Sequence, residues 1–320
     1  MFGFIIKILR SGLQALQARS DRVSALRRFA LATLSLPLFA TIYTLLKLRQ
    51  WLIGPWRVEA VTIDGAKFVC RPPDLIQMYL HLFGTWEPDV TAFVRRRLRQ
   101  GDGFIDVGAN IGYYVELASR LVGSAGQVVA IEASPRITVL LKETIQRNGR
   151  EGNVRVVNQA AAKQRGELNL YSGPVHNIGL TTTVASRGFQ HETMVESAPL
   201  HELLQDGEIA KARIVKIDVE GAEPDVLDGM AGFVRLFPDD VEILLELSPH
   251  WWSGEPRNAQ QILQPFFDAG FHAYQIDNNL WPWRYLWPNA VRPPRRIRDT
   301  LSQQAGRIDL VLSRVNANCL

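Results

Sequence analysis

Between Gly103 and Tyr114 the chain changes character three times, and that change limits what it can fold into. Gly101, Asp102 and Gly103 bound an apolar run, Phe104-Ile105, that carries on through Val107 as a short strand buried on both faces does. Gly108 and Gly112 then permit a tight turn with positive φ, and Asn110 is the non-glycine residue that best tolerates a left-handed backbone. A helix starting near Ile111 follows, and its first N–H groups are expected to point at a ligand. The next strand, 127–132, ends on Glu132, twenty residues after Gly112, where a carboxylate can accept both hydroxyls of a ribose. The turn is not GxGxxG: Asn110 replaces a glycine and the last glycine comes one residue early. That argues against a dinucleotide pyrophosphate, which needs its backbone donors close. An ordinary strand-to-helix turn without a ligand is the plain alternative.

The rest of the chain repeats the alternation. Val58, Val61, Ile63, Phe68 and Val69 surround Asp64-Gly65, a hairpin signal. Residues 90–98 read as an apolar and basic helix. Ser134 as cap and Pro135 at a first helical position open a helix that runs through Ile137, Leu141 and Ile145 and closes at Asn148-Gly149. Residues 154–161 read as a third strand, 167–171 as a short one, and 173–200 as a polar loop. Strands at 213–219, 241–247, 271–276 and 308–312 alternate with helices at 222–228 and 259–269. Such alternation predicts an α/β fold with a mostly parallel sheet, helices on both faces, and ligands at the carboxyl ends of the strands. Asp106, Glu132, Asp218 and Glu246 fall at or just beyond those ends.

At 320 residues the chain suffices for one large core with extensions, so 55–320 is read as one domain with an aromatic insertion near 278–306. A net charge of +4, concentrated in clusters such as Arg95-Arg96-Arg97, is too mild to imply a nucleic-acid partner. With only Cys70 and Cys319, neither a disulfide framework nor a structural zinc site is expected, which fits a reducing compartment. Residues 1–54 stand apart: 19–28 are basic and 29–46 uncharged, at the lower edge of what spans a bilayer and interrupted by Pro37. The expectation is a helical extension attached shallowly to the cytoplasmic face of a membrane, with the remainder in the cytosol. A packing or dimerisation element is the alternative, and the oligomeric state is not legible.

Residues 216–223, Lys-Ile-Asp-Val-Glu-Gly-Ala-Glu, put four charges into an otherwise buried strand and helix start. Burying unpaired charge is costly, so these groups either neutralise one another or face a ligand. Period-two alternation sets Lys216, Asp218 and Glu220 on one side of the strand. Asp218, at the tip of the fourth strand, is placed to orient an acceptor hydroxyl or take its proton. Trp281, Trp283, Tyr285 and Trp287 are suited either to stack on a sugar or acyl group or to cap the core. His250 suits a base near neutral pH or a surface position.

Taken together, 84–88 (Gly-Thr-Trp-Glu-Pro), 104–113 and 216–223 resemble the FkbM family of S-adenosylmethionine (SAM)-dependent methyltransferases over about residues 60–277 and the last strand. The resemblance implies a class I, Rossmann-like fold with a seven-stranded sheet, its final strand, 308–312, running antiparallel beside the fifth. It also implies O-methylation of a small-molecule or glycan acceptor, commonly at a sugar or polyketide hydroxyl. SAM would lie on the turn shaped by Gly108, Asn110 and Gly112, with Asp106 beneath its methionine portion, Glu132 on the ribose and Asn158 on the adenine side. Asp218 would steer the acceptor, supported by Glu220, with Lys216 balancing charge. No resident metal is expected, although Asp218 and Glu246 leave room for a divalent cation in the manner of catechol-type methyltransferases. An NAD-type oxidoreductase and a non-catalytic SAM-binding adaptor are the competing readings.

Overall fold

The computed structural model describes residues 25–54, 56–252, 254–286, 291–298, 301 and 306–320. The described residues form two compact units: one of residues up to Ala92 with Val175–Asn177 and Asn278–Arg292, the other of Phe93–Pro174, Ile178–Asp277 and Pro293–Leu320.

In the first unit, a helix at Ala25–Ile53 packs Phe39 against Phe83 and Tyr79. The Asp64-Gly65 signal produces the expected hairpin, β1 (Val58–Val61) against β2 (Lys67–Cys70), in antiparallel register. A helix at Leu75–Phe83 follows, capped by the Asp74 carboxylate and closed by Gly84 at φ 69°. Tyr285 is buried in this unit, edge-on to Tyr79 and stacked on Phe83, and its hydroxyl accepts the Glu87 N–H. Of the aromatic insertion, Tyr285 therefore caps a core, whereas Trp281 is exposed. The side chain of Trp283, and Trp287 altogether, lie outside the described residues.

The second unit is built on a large sheet. Its strands are β3 (Gly103–Val107), β4 (Gln127–Ile131), β5 (Val154–Val157), β9 (Ala212–Ile217), β10 (Glu242–Leu247), β11 (His272–Gln275), β12 (Arg295–Arg296) and β13 (Ile308–Ser313). A smaller sheet holds β6 (Ala160–Ala161), β7 (Gly166–Ser172) and β8 (Gln190–Ala198). Across the large sheet the order is β12-β11-β13-β10-β9-β3-β4-β5, and β13 is antiparallel to both β10 and β11. The seven expected strands are present, and the two-residue β12 adds an eighth at the edge. β3 and β9 carry apolar side chains buried on both faces, which only a central strand between helical layers can satisfy. Beneath one face, Val215, Ile217, Val226, Leu227, Ile243 and Leu245 form part of one continuous core. Each such side chain contributes about 1.5–3 kcal/mol on burial.

Two expectations fail here. The stretch 154–161 is two strands: the main-sheet run ends at Val157, and Ala160–Ala161 joins the smaller sheet instead. Residues 173–200 are also not all loop, because Gln190–Ala198 pairs with β7. That strand is polar and mostly solvated on one face, so it lacks the apolar run that marked the others. Among the described residues, no helix is long and apolar enough to cross a membrane.

The order in which strands are added reverses at the middle of the large sheet, where the strands stay parallel. From β3 the chain proceeds outward through β4 and β5, then returns to the other side of β3 as β9 and β10. Such a switch point opens a crevice beyond the carboxyl ends of the two adjacent strands.

Candidate active site

At the end of β3 the backbone turns sharply, with Gly108 at φ 88°, Asn110 at 52° and Gly112 at 88°. The helix begins at Tyr113, two residues later than expected. Its turn does not offer free donors. The Gly108 and Ala109 N–H groups donate to the Ile131 carbonyl (2.9 and 3.0 Å), and Gly112 N–H donates to Ala109 O (3.0 Å). Asn110 N–H donates to Glu132 Oε2 (2.8 Å), and Ile111 N–H to the Asn110 side-chain oxygen (2.8 Å). Residues 108–112 therefore have no free N–H: the turn satisfies itself. A polyanion that must be held by backbone amides finds no donors in it.

What the site presents is carboxylate. Glu132 sits buried at the end of β4, where its other oxygen accepts Ser134 N–H (2.9 Å). Burial pushes its carboxyl up to about 7, although both backbone donors oppose the shift. Asn158 donates from its side-chain amide to the Glu132 and Ala133 carbonyls (2.8 and 3.0 Å), so it braces the chain leaving Glu132. Asp106 is buried in β3, directly opposite Lys216 in β9, and their charged atoms lie 3.9 Å apart.

The second segment lies across the switch point. Asp218 N–H donates to Val107 O (3.0 Å), drawing the chain after β9 against the first turn. Lys216 Nζ lies 2.7 Å from Asp218 Oδ2 and 5.1 Å from the Tyr114 ring centroid. The alternation expected to carry on to Glu220 stops at Asp218. Glu220 has φ 55° and Gly221 103°, so a turn rather than a pleat places the Glu220 side chain. Burial, and next the Asp218 charge, push the Glu220 carboxyl up to about 7.

Glu220 has a partner absent from the sequence reading. Arg187, with its side chain 1% exposed, donates from Nη1 to both Glu220 Oε2 (2.9 Å) and Glu220 O (3.0 Å). Its guanidinium packs against the rings of Trp251 (4.3 Å) and Phe189 (5.0 Å). Thr182 Oγ1 adds a bond to Glu220 O (2.8 Å). Arg187 lies in a polar stretch without periodicity, twenty-nine residues from β9's last charged residue, Lys216. Nothing in the sequence marks it out. Glu223, also buried, accepts from Trp252 Nε1 (2.6 Å) and Gly221 N–H (2.7 Å) and so fixes the loop before its helix. His250 is exposed, and partial desolvation of its ring, followed by the Arg187 charge, holds its imidazole below the usual range.

Asp218, Glu220 and Glu246 bring carboxylate oxygens within 4.8 Å of one another. Each meets a cation of the chain: Lys216 on Asp218, Arg187 on Glu220 and Arg307 on Glu246 (3.3 Å), with Lys216 shared with Asp106 and Arg307 with Asp309. A divalent ion at the cluster would have to displace those partners.

A family model described as the methyltransferase FkbM domain matches residues 106–273. The hexuronic acid methyltransferase AglP of Haloferax volcanii is 27% identical over 195 residues, which cover 59% of this chain and 77% of that protein. Among solved structures, the methyltransferase FkbM from Methylobacillus flagellatus aligns at 12% identity and a TM-score of 0.37, covering 74% of this chain and 52% of that one. Aeropyrum pernix fibrillarin in complex with SAM aligns at 11% identity and a TM-score of 0.40, covering 80% and 99%.

Proposed function

Because the chain belongs to the methyltransferase FkbM domain family, we propose that this methyltransferase takes its methyl group from SAM and transfers it to an oxygen of a sugar-class acceptor. One observation carries the choice of cofactor: every N–H from Gly108 to Gly112 is already bonded within the chain, while Asp106, Glu132 and Asp218 gather round the switch point. Spent donors and gathered carboxylates disfavour a pyrophosphate and suit a ligand that carries a sulfonium, an ammonium and ribose hydroxyls. The similarity to a hexuronic acid methyltransferase supports a sugar as acceptor.

When bound, SAM supplies an electrophilic methyl on a positively charged sulfur. The Gly108–Gly112 turn would set the cofactor's depth, Glu132 would accept from its ribose hydroxyls, and Asn158 would hold the adjoining backbone on the adenine side. Asp218 would receive the acceptor hydroxyl as a hydrogen-bond donor and take its proton as the new C–O bond forms and the methyl–sulfur bond breaks, the bonding pair staying on the sulfur. Lys216 and Glu220 fix where that carboxylate sits. Methyl transfer needs little acid catalysis, so alignment of the acceptor oxygen supplies most of the acceleration.

Calorimetry of the purified chain with SAM, S-adenosylhomocysteine and NAD tests this reading, followed by transfer of labelled methyl to sugar extracts. Binding of SAM with incorporation into a sugar fraction is expected. Micromolar NAD binding without a response to SAM would overturn the reading in favour of an oxidoreductase, and SAM binding without transfer to any extract would favour an adaptor.

We also propose that the helix Ala25–Ile53 lies on, without crossing, an anionic membrane at its cytoplasmic face, through its end and not through the uncharged run 29–46, whose Phe39, Ile42 and Leu46 are buried. Leu48, Trp51, Leu52 and Ile53 are exposed at its end, Trp51 by 79%, with Lys47 and Arg49 beside them. Apolar and aromatic groups next to cations suit the headgroup region. Flotation with phosphatidylglycerol vesicles at low salt is expected, and it should be lost with Trp51→Glu. Wild-type protein that stays entirely unbound would overturn the placement.

A further inference from the structure

Beside the carboxylate cluster lies a hollow of about 490 Å³ that the transfer chemistry does not use. Its size falls in the range of small-molecule sites. Trp251 and Trp252 form its aromatic walls, Asp225 and Glu255 lie at its edge, and Thr183 and Ser186 add hydroxyls. Gly221 also lines it, so the hollow begins one residue beyond Glu220.

Both indoles are fixed without a ligand. Trp252 Nε1 is held by the buried Glu223 carboxylate (2.6 Å). Trp251 packs on the Arg187 guanidinium, and its Cβ sits so close to Gly221 that a Cβ there would lie 2.9 Å away. An aromatic wall locked in place spends no rotamer entropy on binding. No lysine or arginine is among the residues lining the hollow, and its two ionisable groups are acids. The Glu255 carboxylate is already engaged by Arg257 (2.8 Å).

We propose that this hollow is a glycan subsite: it holds neutral sugar units adjoining the one that receives the methyl group, stacking their C–H faces on the tryptophans and bonding their hydroxyls to Asp225, Thr183 and Ser186. The assignment rests on the sugar-acceptor reading above and adds two statements to it. The acceptor is part of a chain longer than one sugar, and the adjoining units carry no carboxylate, because an anionic unit would meet Asp225 and Glu255 with no cation among the lining groups.

The test is binding of the full chain to a panel of neutral trisaccharides (maltotriose, cellotriose, mannotriose, chitotriose) and to trigalacturonate, read by saturation-transfer NMR and tryptophan fluorescence. At least one neutral trisaccharide should bind, and trigalacturonate should bind more weakly. Ala185→Trp, at an exposed rim position, should plug the hollow and weaken neutral binding about ten-fold, a loss of about 1.4 kcal/mol, with SAM affinity unchanged. Asp225→Lys, also exposed, should instead admit trigalacturonate. Three results would each overturn the proposal: no binding by any neutral trisaccharide, undiminished binding by Ala185→Trp, or preference of the wild type for trigalacturonate. SAM is titrated separately, so failure of the cofactor reading and failure of the subsite are told apart.

Discussion

Gly108 lies so close to the Asp218 carbonyl that a Cβ at position 108 would be 1.9 Å from that oxygen. Glycine is required there twice, once for the contact and once for φ 88°. Gly108→Ala is therefore expected to cost more than conformational strain alone, which is about 1–3 kcal/mol, because the β9 segment must also retreat. Gly149→Ala is the control: φ is 62° and nothing lies within 4 Å, so strain acts by itself. Urea denaturation should show Gly108→Ala destabilised by at least about 2 kcal/mol more than Gly149→Ala. Equal losses would mean that the contact between the two segments contributes nothing.

If Glu132 holds the ribose as proposed, SAM binding is expected to depend on pH. With its carboxyl pushed up to about 7 by burial, it is largely protonated at pH 6 and largely ionised at pH 8. Ribose hydroxyls donate, and the ionised form accepts from them more strongly. SAM affinity should therefore rise between pH 6 and pH 8, by at most about ten-fold per unit below the pKa. Glu132→Gln should flatten the dependence. A wild-type affinity that falls as the pH rises would contradict the assignment of Glu132 to the ribose.

Arg187 should protect Glu220 most at high pH. A carboxyl whose folded pKa is about 7 adds stability that is full below its unfolded value near 4.5 and is lost as the pH rises through 7. Arg187 opposes that loss, since its charge and hydrogen bond both lower the Glu220 pKa. In Arg187→Gln the carboxyl should titrate higher still. The variant's stability deficit should be larger at pH 8 than at pH 6, because Glu220, ionised beside Arg187 in the wild type at pH 8, must in the variant either keep its proton or stay charged without its cation, the latter costing up to about 3–5 kcal/mol. Thermal melts at the two pH values measure this, and a deficit independent of pH would reduce Arg187 to packing between Trp251 and Phe189.

How far the sequence exposed all this differs from residue to residue, for physical reasons. Strands buried on both faces, such as β3 and β9, wrote themselves as apolar runs, and Gly108, Asn110 and Gly112 wrote the turn because few other residues tolerate positive φ. Glu132 and Lys216 were legible as charges at strand ends. β8 was not, because a strand solvated on one side keeps polar residues and resembles a loop. Arg187 and Arg307 were not legible either: the pairs they form with Glu220 and Glu246 are joined only by the fold. The spent turn donors were likewise hidden, since which carbonyl receives the Gly108 and Ala109 N–H groups is decided by the register of β3 on β4.

Asp218 gives the sharpest test of the chemistry, because it touches both halves of the site. Its backbone N–H is tied to Val107 and its carbonyl packs on Gly108, but its carboxylate is one-quarter exposed and bonded to Lys216. Asp218→Asn keeps the backbone contacts and removes only the charge. Lys216 retains Asp106, 3.9 Å away, as its remaining anion, so the variant should fold. Turnover on the sugar acceptor should fall on the order of 10²-fold, the lower end of what a general base contributes. SAM affinity, measured by calorimetry, should stay within about three-fold of the wild type, under 1 kcal/mol. If SAM binding collapses instead, the Asp218 carboxylate belongs to the cofactor's shell, and the acceptor's proton goes to Glu220 or Glu246.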